Sequence, residues 1–255
     1  MPTLPDLAMR IDAIVGSEDA CATDVAAAIA QDPAIAARLM HAANSAFSAS
    51  RVRVQTVQAA VTRLGLAYTR ALVHRLAVEQ MFLARQSSLR EFARRLWNRS
   101  LGVAALSEAL ARECTGFRPE TAMLGGLLHM VGALPLIRLL DDMPAADLSP
   151  AAIDELVTAT HPEIGRALLA RWAFPGMLQE IPPIVADPHR HHGGAAEIAD
   201  VVIVAVHGWS LHEGKTPTVA PISALDKMGL DAEGHFLDAP PIRQAHEGAR
   251  ARLAV

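Results

Sequence analysis

Apolar residues recur three and four positions apart along most of the chain, the spacing of one face of an α-helix. Asp32-Pro33 gives an N-cap carboxylate followed by proline at the first helical position. Ile35, Leu39 and Ala42 then share a face, with Ala36, Met40 and Ala43 beside them, until Asn44-Ser45 ends the run. Before it, Thr23 or Asp24 caps a short helix through Ile29. After it, Thr56 caps a helix carrying Val57, Ala60, Val61 and Leu64, and Gly65 stops or bends the chain before a longer stretch through Leu83. Ser88 opens a helix striped by Leu89, Phe92, Leu96, Ala105, Leu106 and Leu110. Pro119-Glu120 starts a glycine-rich helix that ends near Gly132. Ser149-Pro150 is another cap followed by proline, and Pro162-Glu163 restarts helix after His161. Phe174-Pro175-Gly176 punctuates the chain, Asp187 to Gly194 reads as loop, and a Val- and Ala-rich helix follows from about Ala195 to Leu211. Lys215-Thr216-Pro217 is a connection, a short helix ends near Gly229, and Pro240-Pro241 begins a last helix with Ile242, Ala245 and Ala249 inward. Alternating strand patterns are missing, so the expected fold class is all-α.

Composition agrees with close-packed helices: 51% of the 255 residues are hydrophobic and only 4% aromatic, so the core is largely Ala, Leu, Val and Ile. Cys21 and Cys114 lie far apart and match no zinc or redox spacing; they read as inert core thiols of a reducing compartment. A basic stretch followed by an apolar core is missing from the N-terminus, so a cytoplasmic location is expected. Ala122 to Leu140 is apolar apart from His129 and Arg138, but its glycines and Pro135 favour a buried helix over a membrane span. The net charge of -4 hides ten arginines between Arg51 and Arg99, against Glu79 and Glu91 alone. They form either a face that attracts phosphate or the solvated side of amphipathic helices. With no aromatic residues interleaved as stacking platforms, nucleic acid is not expected as a partner.

Several segments together carry a family resemblance. They are Gln31-Asp32-Pro33, Arg38-Leu39, Ala43-Asn44-Ser45-Ala46-Phe47, Thr56-Val57-Gln58-Ala59-Ala60-Val61 and Arg63-Leu64-Gly65. Trp97-Asn98-Arg99-Ser100, Gly126-Leu127-Leu128-His129 and His161 through Trp172-Ala173-Phe174-Pro175 follow in order. From Leu4 to Leu211 the set resembles the HDOD (HD-related output) domain of bacterial signalling proteins. The resemblance implies an N-terminal helical bundle over 4–86 packed on an HD-like helical lobe over 88–211. The segment 212–255 is then expected to be a C-terminal helical extension packed on the HD-like lobe. It also implies a regulatory module that has lost the hydrolase activity of its HD relatives.

A catalytic HD domain gathers a first histidine, a His-Asp pair and a later aspartate around metal, often with a further histidine and a His-His pair. The resemblance places Arg99 at the first position, Met130 after His129, Val185-Ala186 at the His-His pair and Val206 at the final aspartate, with Asp200 six residues away. Arginine is a permanent cation, and a thioether is too soft for the hard cations that hydrolyse phosphoesters. The expectation is therefore no catalytic residue, no metal and no cofactor. Arg99, His129 and His161 remain as the candidate ligand-binding set of a vestigial cleft. His129 reads first as a hydrogen-bonded core histidine, and Arg99 either snorkels beside Trp97 or binds phosphate. His189, His191 and His192 could wrap a transition metal, but a solvated mobile loop is the first reading. Three functions stay open: a regulatory module that docks a signalling protein, a binding module for a small phosphorylated or nucleotide ligand, and a residual metal-dependent phosphohydrolase.

Overall fold

The computed structural model describes residues 5–17, 19–46, 53–82, 84–114, 116–143, 149–216 and 221–253. Leu4, Phe47, Arg51, Leu83 and Pro217, used in the sequence reading, lie outside them, as do the side chains of Ser45, Ala46 and Ser88. Among the described residues there are fourteen α-helices and no strand, so the all-α class holds. The chain divides into two compact units, Thr3–Gln80 with Glu247–Val255, and Met81–His246.

The first unit holds α1 (Asp6–Val15), α2 (Ala22–Ile29), α3 (Pro33–Ala46), α4 (Val57–Leu64) and most of α5 (Leu66–Met81). Helix α1 was not expected, because Pro5 gives no side-chain cap and the apolar stripe is short. Its Ala8 and Ile11 are nevertheless fully buried. Asp12 on α1 then reaches Arg70 at 2.6 Å and His74 at 2.8 Å on α5. Asp32 accepts the N–H groups of Ala34 and Ile35 at 3.0 and 3.1 Å, and Thr56 accepts that of Ala59 at 3.1 Å, so both caps stand where the sequence put them. Gly65 ends α4 with φ +79°, a conformation side-chain-bearing residues avoid. Helix α3 runs through Asn44 and Ser45 to Ala46, and the Asn44 side-chain amide donates to the Val54 carbonyl at 3.1 Å and accepts the Val54 N–H at 2.8 Å.

Two readings of side-chain environment change in this unit. Arg75 is 2% exposed rather than solvated, and lies 3.5 Å from Glu79. Burial lowers its pKa to about 10, against the pull of Glu79, so it stays charged at neutral pH. Cys21 is no core thiol. It sits exposed at the start of α2, its Sγ 2.9 Å from Asp24, and Cys114, in the other unit, is half-buried at the end of the helix Ser87–Cys114. Helix ends face solvent on at least one side, which the spacing of cysteines along the chain does not register.

The second unit is built on α6 (Ser87–Cys114), α7 (Pro119–Leu128), α8 (Ala133–Asp142), α9 (Pro150–Arg171), α10 (Gly176–Gln179), α11 (Ile181–Val185), α12 (Ile198–His212) and α13 (Ser223–Met228). A 3-10 turn (His235–Asp238) and α14 (Pro240–Leu253) follow. Helix α6 packs on α7 and on α12. Asp141 seats the start of α6 by accepting the backbone N–H groups of Arg85 and Gln86 at 2.9–3.0 Å, which holds its carboxyl below the usual range. Ser149 caps α9 as expected, 3.2 Å from Ala152 N. Pro162 does not restart a helix: α9 runs unbroken from Pro150 to Arg171 with the proline inside it. The packed neighbours of α9 outweigh the one lost backbone hydrogen bond. The apolar segment Pro119–Asp142 is broken by a turn, and 72% of its most apolar window is buried inside the protein. Its hydropathy is used by the core.

Candidate functional site

The glycine-rich helix explains where His129 sits. A Cβ on Gly126 would stand 2.8 Å from the Ala104 backbone, so glycine lets α7 lie directly on α6. One on Gly132 would run into the backbone of His161 and Gly165, so glycine there lets the α7–α8 turn lie against α9. His129 therefore ends α7 in the turn rather than riding mid-helix, with His161 opposite.

Around these two rings lies a cavity of about 210 Å³ lined by Leu96, Arg99, His129, Met130, Asp154, Thr158, His161, Val185, Ala186 and Val206. Helices α6, α9, α11 and α12 and the α7–α8 turn all reach it. Thus Arg99, His129 and His161, 30 and more residues apart in sequence, share one cavity with Met130, Val185, Ala186 and Val206. Sequence reasoning missed Asp154 and Thr158. Their spacing of four and three residues from one another and from His161 places all three on one face of α9, and that was the available signal.

His129 is 2% exposed, and its Nδ1–H donates to the Gly126 carbonyl at 2.6 Å. Burial, followed by the Arg99 cation, pushes its pKa down to about 3. The ring is therefore neutral, with a bare lone pair on Nε2 that has no partner among the described residues. His161 is 7% exposed, and burial and then Arg99 push its pKa down to about 4; its Nδ1 is likewise unpartnered. Arg99 is half-buried, and its Nε is buried without a partner.

The other histidines go elsewhere. The loop from Asp187 to Gly194 was read as solvated, but His192 pins it: Nε2 lies 2.9 Å from Asp200, Nδ1 3.1 Å from Glu197, and Lys227 Nζ 2.7 Å from the ring. His189 binds the Pro221 carbonyl at 3.0 Å, and His191 is exposed. Asp200 is 1% exposed and closes a capping box with Glu197 at the start of α12, away from the cavity lining. Among the described residues, the trio whose ligand atoms lie within 4.8 Å of one another is Asp231, Glu233 and His235, which is largely exposed. His129, His161 and Asp154 are not such a trio.

The HDOD domain family model matches residues 1–187. The chain belongs to the HDOD family. A candidate metal-dependent phosphohydrolase from Shewanella amazonensis SB2B has 28% identity to this HDOD protein and superposes with a TM-score of 0.84, over 99% of this chain and 92% of that one. An HDOD domain protein of unknown function from Geobacter sulfurreducens shares the fold at 23% identity and a TM-score of 0.70, over 98% and 92% of the two chains. An uncharacterized protein of Treponema pallidum (strain Nichols) is 27% identical over 203 residues, 75% of this chain. This HDOD protein spans 37% of the length of that relative.

Proposed function

We propose that this HDOD protein is a non-catalytic regulatory module of bacterial signal transduction, cytoplasmic, and acting through contact with a partner protein. The observation that carries the reading is the chemistry of the cavity wall. Val185, Ala186 and Val206 offer no donor atom, Met130 offers a soft sulfur, and Arg99 brings a permanent positive charge. Hard divalent cations that activate water take oxygen ligands, several of them anionic. The cavity holds one carboxylate, Asp154, and its ligand atom does not gather with those of the two imidazoles. These residues do not fit such an ion. Family membership supports the signalling role.

Phosphomonoesterase and phosphodiesterase assays of the full chain with magnesium, manganese, iron and nickel, beside elemental analysis, test the catalytic half. The expected result is no turnover above the metal-only blank and no stoichiometric metal. Chelator-sensitive turnover with a bound ion overturns it. Cross-linking in the source cytoplasm tests the partner half: reproducible cross-links to a signalling protein are expected, and a chain that stays uncross-linked while abundant and folded refutes it.

A further inference from the structure

Arg99 has neither a hydrogen bond nor an ion pair among the described residues, although its Nε is buried. A guanidinium whose Nε is buried without a partner leaves that N–H unsatisfied, and an anionic oxygen is its natural complement. His129 has spent its only N–H on the Gly126 carbonyl, so its Nε2 can only accept a hydrogen bond. His161 adds a second buried nitrogen without a partner, and Thr158 a hydroxyl on the same wall. Asp154 places one exposed carboxylate in the lining, which weighs more against a doubly charged guest than a singly charged one and is softened by its contact with solvent. Leu96, Met130, Val185, Ala186 and Val206 form the remaining, apolar wall.

We propose that the cavity among Arg99, His129 and His161 is a binding site for a small oxyanion that keeps a hydroxyl hydrogen, namely dihydrogen phosphate or the monoanion of a small phosphomonoester. One anionic oxygen faces Arg99, and the O–H donates to His129 Nε2. The volume of about 210 Å³ equals roughly seven water volumes. It takes a phosphoryl group with a short substituent and leaves a nucleoside outside. A fully deprotonated oxyanion of the same shape turns a lone pair toward the bare Nε2, which leaves that buried nitrogen unpaired.

Inorganic phosphate and sulfate distinguish these cases without any variant. At about pH 6 phosphate is largely the monoanion, whereas sulfate carries no proton. Both are titrated into the full chain at constant ionic strength, following the imidazole NMR signals of His129 and His161, with calorimetry alongside. A saturable shift with phosphate is expected, with sulfate at least about tenfold weaker. Arg99→Gln, whose fold is checked by its melting curve, loses phosphate binding by about tenfold or more. Methyl phosphate is titrated in parallel, and the tighter of the two phosphates names the source as free anion or ester. Sulfate binding equal to phosphate, no saturable shift at tens of millimolar, or undiminished binding by folded Arg99→Gln overturns the proposal. None of these results bears on partner docking, whose cross-links are read separately.

Discussion

Replacing Gly126 with alanine tests the contact that fixes His129. The new Cβ would stand 2.8 Å from Ala104 Cα, 2.9 Å from Ala104 N and 2.8 Å from Ser107 Oγ. Carbon atoms in ordinary contact lie about 3.5–4.0 Å apart, so α6 and α7 must separate by roughly 0.7 Å or more. The atoms in the way are mainly backbone of a 28-residue helix, which yields less easily than a side-chain tip. Over-packing of this kind costs about 1–3 kcal/mol, and the upper end applies here. Alanine returns about 1 kcal/mol of helix propensity, leaving a net loss of about 2 kcal/mol. For a unit of this size that is a fall in melting temperature of about 4–8 °C. The neighbouring Gly125 supplies the control. Its Cβ would meet Val202 Cγ2 at 3.0 Å and Ile181 Cδ1 at 3.6 Å, both side-chain ends, so Gly125→Ala is expected within about 1 kcal/mol of the wild type. Thermal unfolding followed by circular dichroism measures both, and the His129 ring signals should move only in the Gly126 variant. A Gly126→Ala protein that melts as high as wild type, or no lower than Gly125→Ala, refutes the reasoning.

His129 and His161 titrate at about 3 and about 4 when folded, against about 6.5 when unfolded, so the unfolded chain binds more protons as pH falls below about 6.5. Stability should therefore drop over that window, by up to about 2.7 kcal/mol per pH unit for two protons; denaturant midpoints from pH 7 to 5 check this, and a rising midpoint contradicts it. Ala173 is exposed and holds φ +56° just after α9, so Ala173→Gly should raise stability by about 0.5–1 kcal/mol in urea unfolding, an unchanged or lower midpoint counting against it. Asn44→Ala removes both hydrogen bonds to the Val54 backbone and should cost about 2 kcal/mol, with faster amide exchange at Val54 as the local readout; protection at Val54 equal to wild type would speak against it.

What the sequence determined by itself was local or pattern-based. Proline after an N-cap, as at Asp32-Pro33 and Ser149-Pro150, encodes a helix start within four residues, because the cap bonds only its own first turn. The family resemblance picked out Arg99, His129, Met130, Val185, Ala186 and Val206, and they line one cavity. Tertiary structure decided the rest. Pro162 stays inside α9, His192 is drawn to Asp200 and Lys227, and Arg75 is buried against Glu79. Asp154 and Thr158 join the cavity, and the tautomer of His129 is set by a carbonyl three residues back. Each of these depends on which surfaces of distant helices come within a few ångströms of one another. Capping energies act over one turn, whereas burial and charge pairing act between elements that the chain brings together only once it is folded.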